Sequence, residues 1–472
     1  MTQTVTRDGF LNLLARSGLV PADVIAAVVE QDALHSAADA VAVARAFVRR
    51  RLLTTFQANR LLGGKHRRFF VADRYKVLDV LGLGGMGWVY CAEDTHTPQD
   101  TACASDRSWL WGKKRTATSS AAPATCNPPG RLVALKMLTE KHETDAGMIA
   151  RFELEAQTGM KLRHDNLVRT LDFGRTEGIY GQVVYMTQEF FEAISVEELL
   201  KWTGRLSWPH ACDIAAQVAA GLHHAHSNGV VHRDVKPGNF LIGRDGHVKL
   251  IDFGLSLTEH SEDEFSLAMI FGHDCLGTAD FIAPEQSLNS MNVDGRADIY
   301  SLGCSLYTML SGHVPFEGLR SAEKVAAHRN RTPKPIRHYV PELPRPVEAV
   351  LMRMMARRPT DRFQTAADVC LALLPFAKRK SVRFDMADVM ARRMKSVKRR
   401  IQQAQAARRR IPMSSTSLTA CSLQSRVRGS DSATLHDTAV ARDTDVARPA
   451  DTFSPPNTTP PQPTAADRSA PQ

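Results

Sequence analysis

The stretch that decides the interpretation of this chain reads His232-Arg233-Asp234-Val235-Lys236-Pro237-Gly238-Asn239. Asp234 stands between an apolar run, residues 229–231, and a Pro-Gly turn, where its carboxylate can accept a proton from a substrate hydroxyl. The amide of Asn239, five residues later, can bind a metal ion, and the flexible ammonium of Lys236 can balance charge on a moving phosphoryl group. A surface turn of ordinary polar residues is the alternative. The complete spacing favours a catalytic loop with these three residues as its catalytic groups.

The stretch H-R-D-V-K-P-G-N resembles the catalytic loop of bacterial, eukaryotic-like Ser/Thr protein kinases, and other signatures of that family follow in order. Asp252-Phe253-Gly254 begins thirteen residues past Asn239, after two strand-like stretches, 239–242 and 247–251, joined by the turn at 244–246. The resemblance implies that Asp252 and Asn239 bind the metal ion, Mg²⁺ or alternatively Mn²⁺, that accompanies ATP.

A glycine-rich stretch, residues 82–87, follows a strand-like run and resembles the loop that covers the phosphates of ATP in this family. The pattern G-x-G-x-x-G also occurs in dinucleotide folds, where a helix opens at the loop. Here residues 89–92 continue as a strand, which favours a nucleotide-covering hairpin. Glycine is expected at 82, 84 and 87 because a Cβ would obstruct the approach of phosphate oxygens.

Val133-Ala134-Leu135-Lys136 resembles the V-A-I-K motif, which implies that Lys136 binds the α- and β-phosphates. Its implied partner on the next helix is Glu155, nineteen residues later, while Glu153 is expected to be an exposed helix carboxylate.

Gly159 departs from the family, which places a bulky apolar residue there to pack under Phe253. Unless Met160 fills this space, we expect the helix to hold its active position only when something else supports it.

Residues 183–191 resemble the strand that leads to the hinge between the lobes, with Gln188 behind the adenine pocket and backbone groups of Glu189 and Phe190 facing the base. Val89, Ala134 and Leu241 either sandwich the purine ring or are plain core. The implied ATP-binding residues are Leu81, Gly82, Leu83, Gly84, Gly85, Met86, Gly87, Trp88, Val89, Ala134, Lys136, Glu155, Glu189 and Leu241.

Residues 277–285 resemble a peptide-binding segment in which Thr278 points to Ser/Thr substrates. We hypothesise that Arg233 pairs with Asp274 or with phosphorylated Ser266, with Ser261 as a further site. Asp298 is expected to anchor the catalytic-loop backbone. The resemblance also implies a buried pair between Arg362 and Glu285.

Composition and charge limit the number of domains, the cellular compartment and the kinds of partner to expect. The chain has 472 residues, 43 % of them hydrophobic, enough for two or three domains. Its eight cysteines are scattered singly, no cleavable signal pattern opens the sequence, and no window is apolar enough for a membrane span, which together predict a cytoplasmic protein. The net charge of +10 is concentrated in residues 377–412, which hold thirteen Lys/Arg against two Asp, so it gives no argument for specific nucleic-acid binding.

The predicted fold is α+β, a two-lobed protein kinase with a small β-rich N-lobe and a larger helical C-lobe. We predict a helical N-terminal module over 1–68 and a kinase domain over 73–376, with its lobes at 73–190 and 191–376. An insertion at about 97–129, which contains an isolated Trp109-Leu110-Trp111, is expected to be disordered, as is the Ser/Thr/Pro-rich tail over 413–472.

Residues 384–403, within the basic segment 377–412, predict an amphipathic helix with apolar residues at 386, 390, 394, 397 and 401. Three interpretations remain open: an exposed basic helix, a helix on an anionic membrane surface, and a site for an acidic protein or nucleic acid. The cluster His223, His224 and His226 invites a metal site. A structural role is favoured because no Cys or carboxylate stands nearby in the sequence.

Two functions follow from the resemblance. One is a protein Ser/Thr kinase that transfers the γ-phosphate of ATP to protein hydroxyls, including its own, in signal transduction. The other is a pseudokinase scaffold that recruits partners, suggested by Gly159, the activation segment and the insertion. The presence of the full set Lys136, Glu155, Asp234, Asn239 and Asp252 favours the kinase.

Overall fold

The computed structural model describes residues 5–31, 39–84, 86–98, 107–111, 130–139, 145–178, 181–253, 257–258, 279–288 and 293–410. The tail predicted to be disordered lies outside these stretches. No helix within them combines the length and the apolar character needed to cross a membrane.

Four short helices at the N-terminus enclose a core of their own. Side chains of Thr6, Asp39 and Thr54 accept backbone N–H groups at the starts of the first, third and fourth helices, which fixes where these helices begin. Phe10 and Phe47 are completely buried between them. The helices are α1 (Arg7–Ser17), α2 (Ala22–Gln31), α3 (Ala40–Arg49) and α4 (Thr55–Leu62).

A six-stranded antiparallel sheet follows, and its strands lie side by side in chain order except that the last two are exchanged. One face buries Val77, Val133 and Leu135, while the helix α5 (Ala146–Lys161) packs with Phe152 near Val184 and Met186. The strands are β1 (Phe70–Val71), β2 (Tyr75–Leu83), β3 (Gly87–Pro98), β4 (Gly130–Leu138), β5 (Thr170–Gly178) and β6 (Gly181–Glu189).

The chain then enters a helical part with two small sheets. Its two central helices, Trp208–Ser227 and Gly295–Ser311, are buried along most of their length. The first elements are β7 (Ala193–Ser195), α6 (Val196–Thr203), α7 (Trp208–Ser227), β8 (Val230–Val231), β9 (Phe240–Gly243), β10 (Val248–Leu250) and β11 (Leu257–Thr258). They are followed by α8 (Gly295–Ser311), α9 (Ser321–Asn330), α10 (Arg345–Met354), α11 (Ala366–Leu373) and α12 (Met386–Arg410).

The predicted disorder of the insertion is wrong for Ser108–Trp111, which form a turn of 3₁₀ helix. Trp109 and Leu110 are buried in the main core, and the Trp109 ring stacks on Phe190 with 6.2 Å between ring centroids. Burial of two large apolar side chains supplies the stabilisation that the flanking composition lacks. The residues on either side, 99–106 and 112–129, lie outside the described part of the chain.

The basic segment forms α12, as its apolar spacing predicted, but its apolar side does not face solvent. Met386, Val389, Met390 and Val397 are buried. The helix contacts β2 and the Ser108–Trp111 turn. Because these side chains pack against the chain itself, the interpretation of an apolar face lying on a membrane is wrong for them.

Candidate active site

The backbone of the catalytic loop is held by one buried carboxylate. Asp298 of α8 accepts hydrogen bonds from the backbone N–H groups of His232 and Arg233, both at 2.8 Å, and contacts His226 Nε2, also at 2.8 Å. Arg233 has φ of 66°, a left-handed conformation that is unfavourable for a residue with a side chain. Burial raises the pKa of Asp298, but the donors outweigh it and hold the pKa below its ordinary value.

The ring of His232 ties the catalytic loop to the segment that carries Asp252. The backbone N–H of Asp234 donates to His232 Nδ1 at 3.2 Å, so Nε2 carries the ring proton and donates to the carbonyl of Ile251 at 2.9 Å. The Phe253 ring lies 4.9 Å from the His232 ring, between centroids. The loop and the residues before Asp252 therefore keep a fixed spacing.

The three predicted catalytic side chains meet in this loop. Lys236 Nζ donates to both carboxylate oxygens of Asp234, at 2.8 and 2.6 Å. Asn239 Nδ2 donates to the Asp234 carbonyl at 2.7 Å and to its carboxylate at 3.1 Å. These donors fix the orientation of the carboxylate, as a proton acceptor requires.

Lys136 forms the ion pair that the resemblance implied. Its Nζ lies 2.6 Å from Glu155 Oε1 and 3.3 Å from Asp252 Oδ1. Burial lowers the pKa of Lys136, but the two carboxylates outweigh it and raise the pKa above its ordinary value. Lys136 also lowers the pKa of Asp252 against the opposing effect of burial. Glu153 pairs with Arg175 on the sheet, so Glu155 alone of the two candidates reaches the site.

The expectation that Gly159 leaves a space for Met160 is wrong. A Cβ on Gly159 would lie 2.2 Å from Thr170 Oγ1, and the Met160 side chain is 39 % exposed. Glycine here lets α5 approach β5 closely. Glu155 of the same helix pairs with Lys136 of β4 without an apolar side chain at 159.

Asn239 and Asp252 are adjacent because the backbone N–H of Ile251 donates to the Asn239 carbonyl at 3.0 Å. The Asp252 carboxylate is 42 % exposed, and oxygen donors of this kind suit a hard divalent cation. No cluster of three or more His, Cys, Asp or Glu in the described chain could hold a metal by itself. The two residues therefore fit a cation that shares its other ligands with a phosphate.

The histidine cluster has a structural role at two of its three members. His224 Nε2 accepts the backbone N–H of Arg163 at 3.3 Å, and His226 bonds Asp298. The contact of His226 was missed from the sequence. Only its place at the end of the helix before the catalytic loop could have suggested it.

The three residues predicted to sandwich the purine ring lie on strands β3, β4 and β9. Val89, Ala134 and Leu241 are each half-buried, whereas the neighbours of Ala134 in β4, Val133 and Leu135, are fully buried. Successive residues of a strand face opposite sides, so the side of β4 that carries Ala134 is less buried than the side that carries Val133 and Leu135. The backbone N–H of Glu189 donates to the Arg169 carbonyl at 2.9 Å, so that group is not free for a base.

The glycines of the covering loop serve two different purposes. A Cβ on Gly82 would meet nothing within 4 Å, and one on Gly84 would meet the Gly87 carbonyl oxygen at 3.6 Å, so packing does not require glycine at either position. A Cβ on Gly87 would lie 1.8 Å from the Met137 carbonyl oxygen. Close packing of β3 on β4 therefore requires glycine at 87, in addition to any phosphate. Leu81, Leu83, Met86 and Trp88 border the same hairpin, and Gly85 lies outside the described residues.

The peptide-binding side of the site is only partly described. Arg362, fully buried, donates to both carboxylate oxygens of Glu285 at 2.6 and 2.8 Å, as expected. Gln286 Nε2 donates to the Arg233 carbonyl at 2.9 Å. Ser261, Ser266, Asp274 and Thr278 lie outside the described residues.

The family model described as Protein kinase domain matches residues 117–372. Serine/threonine-protein kinase PknB of Mycolicibacterium smegmatis is 29 % identical over 301 residues, 63 % of this chain and 42 % of that protein. PrkC of Bacillus subtilis is 29 % identical over 299 residues, 63 % of this chain and 40 % of that protein. A probable serine/threonine-protein kinase of Corynebacterium efficiens is 31 % identical over 309 residues, 65 % of this chain and 41 % of that protein.

The chain thus covers less than half the length of these relatives. The strand-rich part and the helical part fit the two-lobed architecture of such kinases. This chain belongs to the protein kinase family.

Proposed function

We propose that this chain is a protein serine/threonine kinase that transfers the γ-phosphate of ATP to protein hydroxyls, its own included, in signal transduction. One observation carries the proposal: Lys136 holds Glu155 and Asp252 within 2.6 and 3.3 Å. In the same structure Asp234 is oriented by Lys236 and Asn239. The printed names of the relatives support Ser/Thr as the acceptor residues. Nothing in the geometry or the comparisons favours the scaffold alternative.

In this proposal the substrate hydroxyl lies beside Asp234. Its oxygen attacks the γ-phosphorus, the bond from that phosphorus to the β–γ bridging oxygen breaks, and ADP leaves. The hydroxyl proton passes to the Asp234 carboxylate. Lys236, already 2.6 Å from that carboxylate, donates to the transferring oxygens and limits the build-up of negative charge.

In this proposal, residues on both sides of the cleft bind the nucleotide. The hairpin at residues 81–89 covers the phosphates, Lys136 binds the α- and β-phosphates, and Ala134 and Leu241 enclose the base. A divalent cation, Mg²⁺ by its preference for oxygen ligands or alternatively Mn²⁺, would be held by Asp252 and Asn239 and would neutralise phosphate charge.

We also propose a cellular location for the protein and a class of partner for α12. The scattered cysteines support a cytoplasmic protein, and the four in the described chain are free thiols. Lys398 and Arg399 are exposed on α12 and offer a surface to an acidic protein partner or an anionic surface, through charge alone.

The test is phosphate transfer from labelled ATP with Mg²⁺ to the protein itself and to a generic basic protein, followed by identification of the labelled amino acids. We expect phosphoserine and phosphothreonine from the wild type and almost none from Lys136→Met, which loses the phosphate ligand. Exclusive phosphotyrosine, or no transfer by a wild type that binds ATP, would contradict the proposal.

A further inference from the structure

Arg393 of α12 forms a two-point ion pair beside the hinge. Its Nε donates to Glu198 Oε1 at 2.8 Å and its Nη2 to Glu198 Oε2 at 2.7 Å. Nη2 also donates to the Ala193 carbonyl at 3.3 Å. The Arg393 and Glu198 side chains are only 18 % and 24 % exposed, so the pair is better shielded from water than a surface salt bridge.

Glu198 at the same time fixes the start of α6. Its Oε2 accepts the backbone N–H of Ser195 at 2.8 Å, and Ser195 Oγ accepts the backbone N–H of Glu198 at 3.1 Å. This reciprocal cap sets where β7 ends and the helix begins. Arg393 therefore supports the junction of β7 and α6 through both Glu198 and Ala193.

The junction is coupled to the floor of the nucleotide slot. Strand β7 pairs with β9, and Ser195 lies opposite Leu241. Asn239 directly precedes β9. A shift of β7 would therefore move Leu241, the residue proposed to hold the base.

The same helix touches the roof of the slot. It contacts β2, the strand that runs into Gly82, and the Ser108–Trp111 turn, whose Trp109 stacks on Phe190. Through Arg393, α12 thus contacts Glu198 on the hinge side of the slot. The same helix also contacts β2, the strand that leads to the covering loop.

We propose that Arg393, outside the stretch 117–372 matched by the kinase family model, is a positioning residue that holds the floor of the nucleotide slot relative to its roof. This inference rests on the proposed function. Nucleotide affinity then depends on α12, whereas the phosphoryl-transfer step depends on Asp234 and its neighbours.

The test uses the full chain and compares wild type with Arg393→Ala, Arg393→Lys and Lys395→Ala. Lys395 is an exposed cation on the same helix, so its removal matches the loss of charge. Calorimetry measures the Kd of Mg·ADP, and labelled ATP gives KM and kcat. We expect Arg393→Ala to raise Kd and KM about 10-fold, or about 1.4 kcal/mol, with kcat within about twofold of wild type.

Arg393→Lys should recover part of the affinity, because an ammonium replaces one of the two contacts. Lys395→Ala should match wild type. If Arg393→Ala unfolds, Glu198→Gln, which keeps one oxygen for the cap and loses the acceptor of Arg393 Nε, should also raise Kd, by a smaller factor. Unchanged Kd in both variants, or an equal loss in Lys395→Ala, overturns the inference. A wild type that binds nucleotide without transferring phosphate contradicts the proposed function instead.

Discussion

The substitution Asp298→Asn tests whether one buried carboxylate holds the catalytic loop. Asp298 is completely buried and accepts the backbone N–H groups of His232 and Arg233 while contacting His226. Asparagine keeps the shape but has one acceptor oxygen, and its amide group must face at least one of these donors. One buried N–H group then loses its partner, and the charge that strengthens the others is gone.

The magnitude follows from these contacts. A hydrogen bond to a charged group contributes about 1.5–3 kcal/mol, and a buried unpaired donor costs about 1–3 kcal/mol. The left-handed Arg233 adds a conformational cost of about 1–2 kcal/mol that the carboxylate offsets in the wild type. Relaxation of the loop recovers part of this, so we expect a loss of about 3–5 kcal/mol in the free energy of unfolding. At about 2–4 °C per kcal/mol, the melting temperature should fall on the order of 10 °C.

The assay is thermal unfolding followed by circular dichroism, with phosphate transfer measured well below the transition. Asp294→Asn is the matched control, since Asp294 caps the same helix α8 and its side chain is 49 % exposed. Asn is also a good cap, so the control should change stability by less than about 1 kcal/mol. Equal melting temperatures for the two variants would refute the assigned role of Asp298.

Three further outcomes are expected. Gly159→Leu should lower the free energy of unfolding by about 2 kcal/mol, and the melting temperature by several degrees, because its Cβ would lie 2.2 Å from Thr170 Oγ1. Thr170→Ala in the same chain should restore part of the loss. Burial lowers the pKa of His328 to about 4 from 6.5, so only the unfolded state binds its proton between these values. The free energy of unfolding should therefore fall by about 1.4 kcal/mol per pH unit as the pH drops from 6.5 toward 4. His328→Gln should lack this contribution, which melting temperatures measured across the same pH range would show. Trp109→Ala should lower the free energy of unfolding by about 3 kcal/mol in the same melts, because the buried indole that stacks on Phe190 is lost. An unchanged melting temperature would contradict the docking of the insertion.

The catalytic groups could be predicted from sequence because each lies in a stretch that resembles a motif of the kinase family. Asp234, Lys236 and Asn239 lie within one turn, where the backbone itself sets their spacing. Lys136 and Glu155 are nineteen residues apart, on a strand and the helix that follows it. The resemblance implied that these side chains meet, and it also implied Asp252, which lies 116 residues from Lys136 along the chain.

What could not be predicted depends on contacts between distant segments. The need for glycine at 159 comes from Thr170 on another element, and the order of Trp109 comes from Phe190. Arg393 meets Glu198 across 195 residues of chain, and nothing in its basic surroundings distinguishes it from its neighbours. Composition does not report such tertiary partners.

Transfer of labelled γ-phosphate from saturating Mg·ATP by wild type and by Asp234→Asn tests the central claim most directly, with nucleotide binding measured on the same samples. We predict that the variant binds ATP as wild type does while its transfer rate falls by about 10²–10⁴, the usual contribution of a positioned general base. Transfer by Asp234→Asn at the wild-type rate would contradict the assignment of this site.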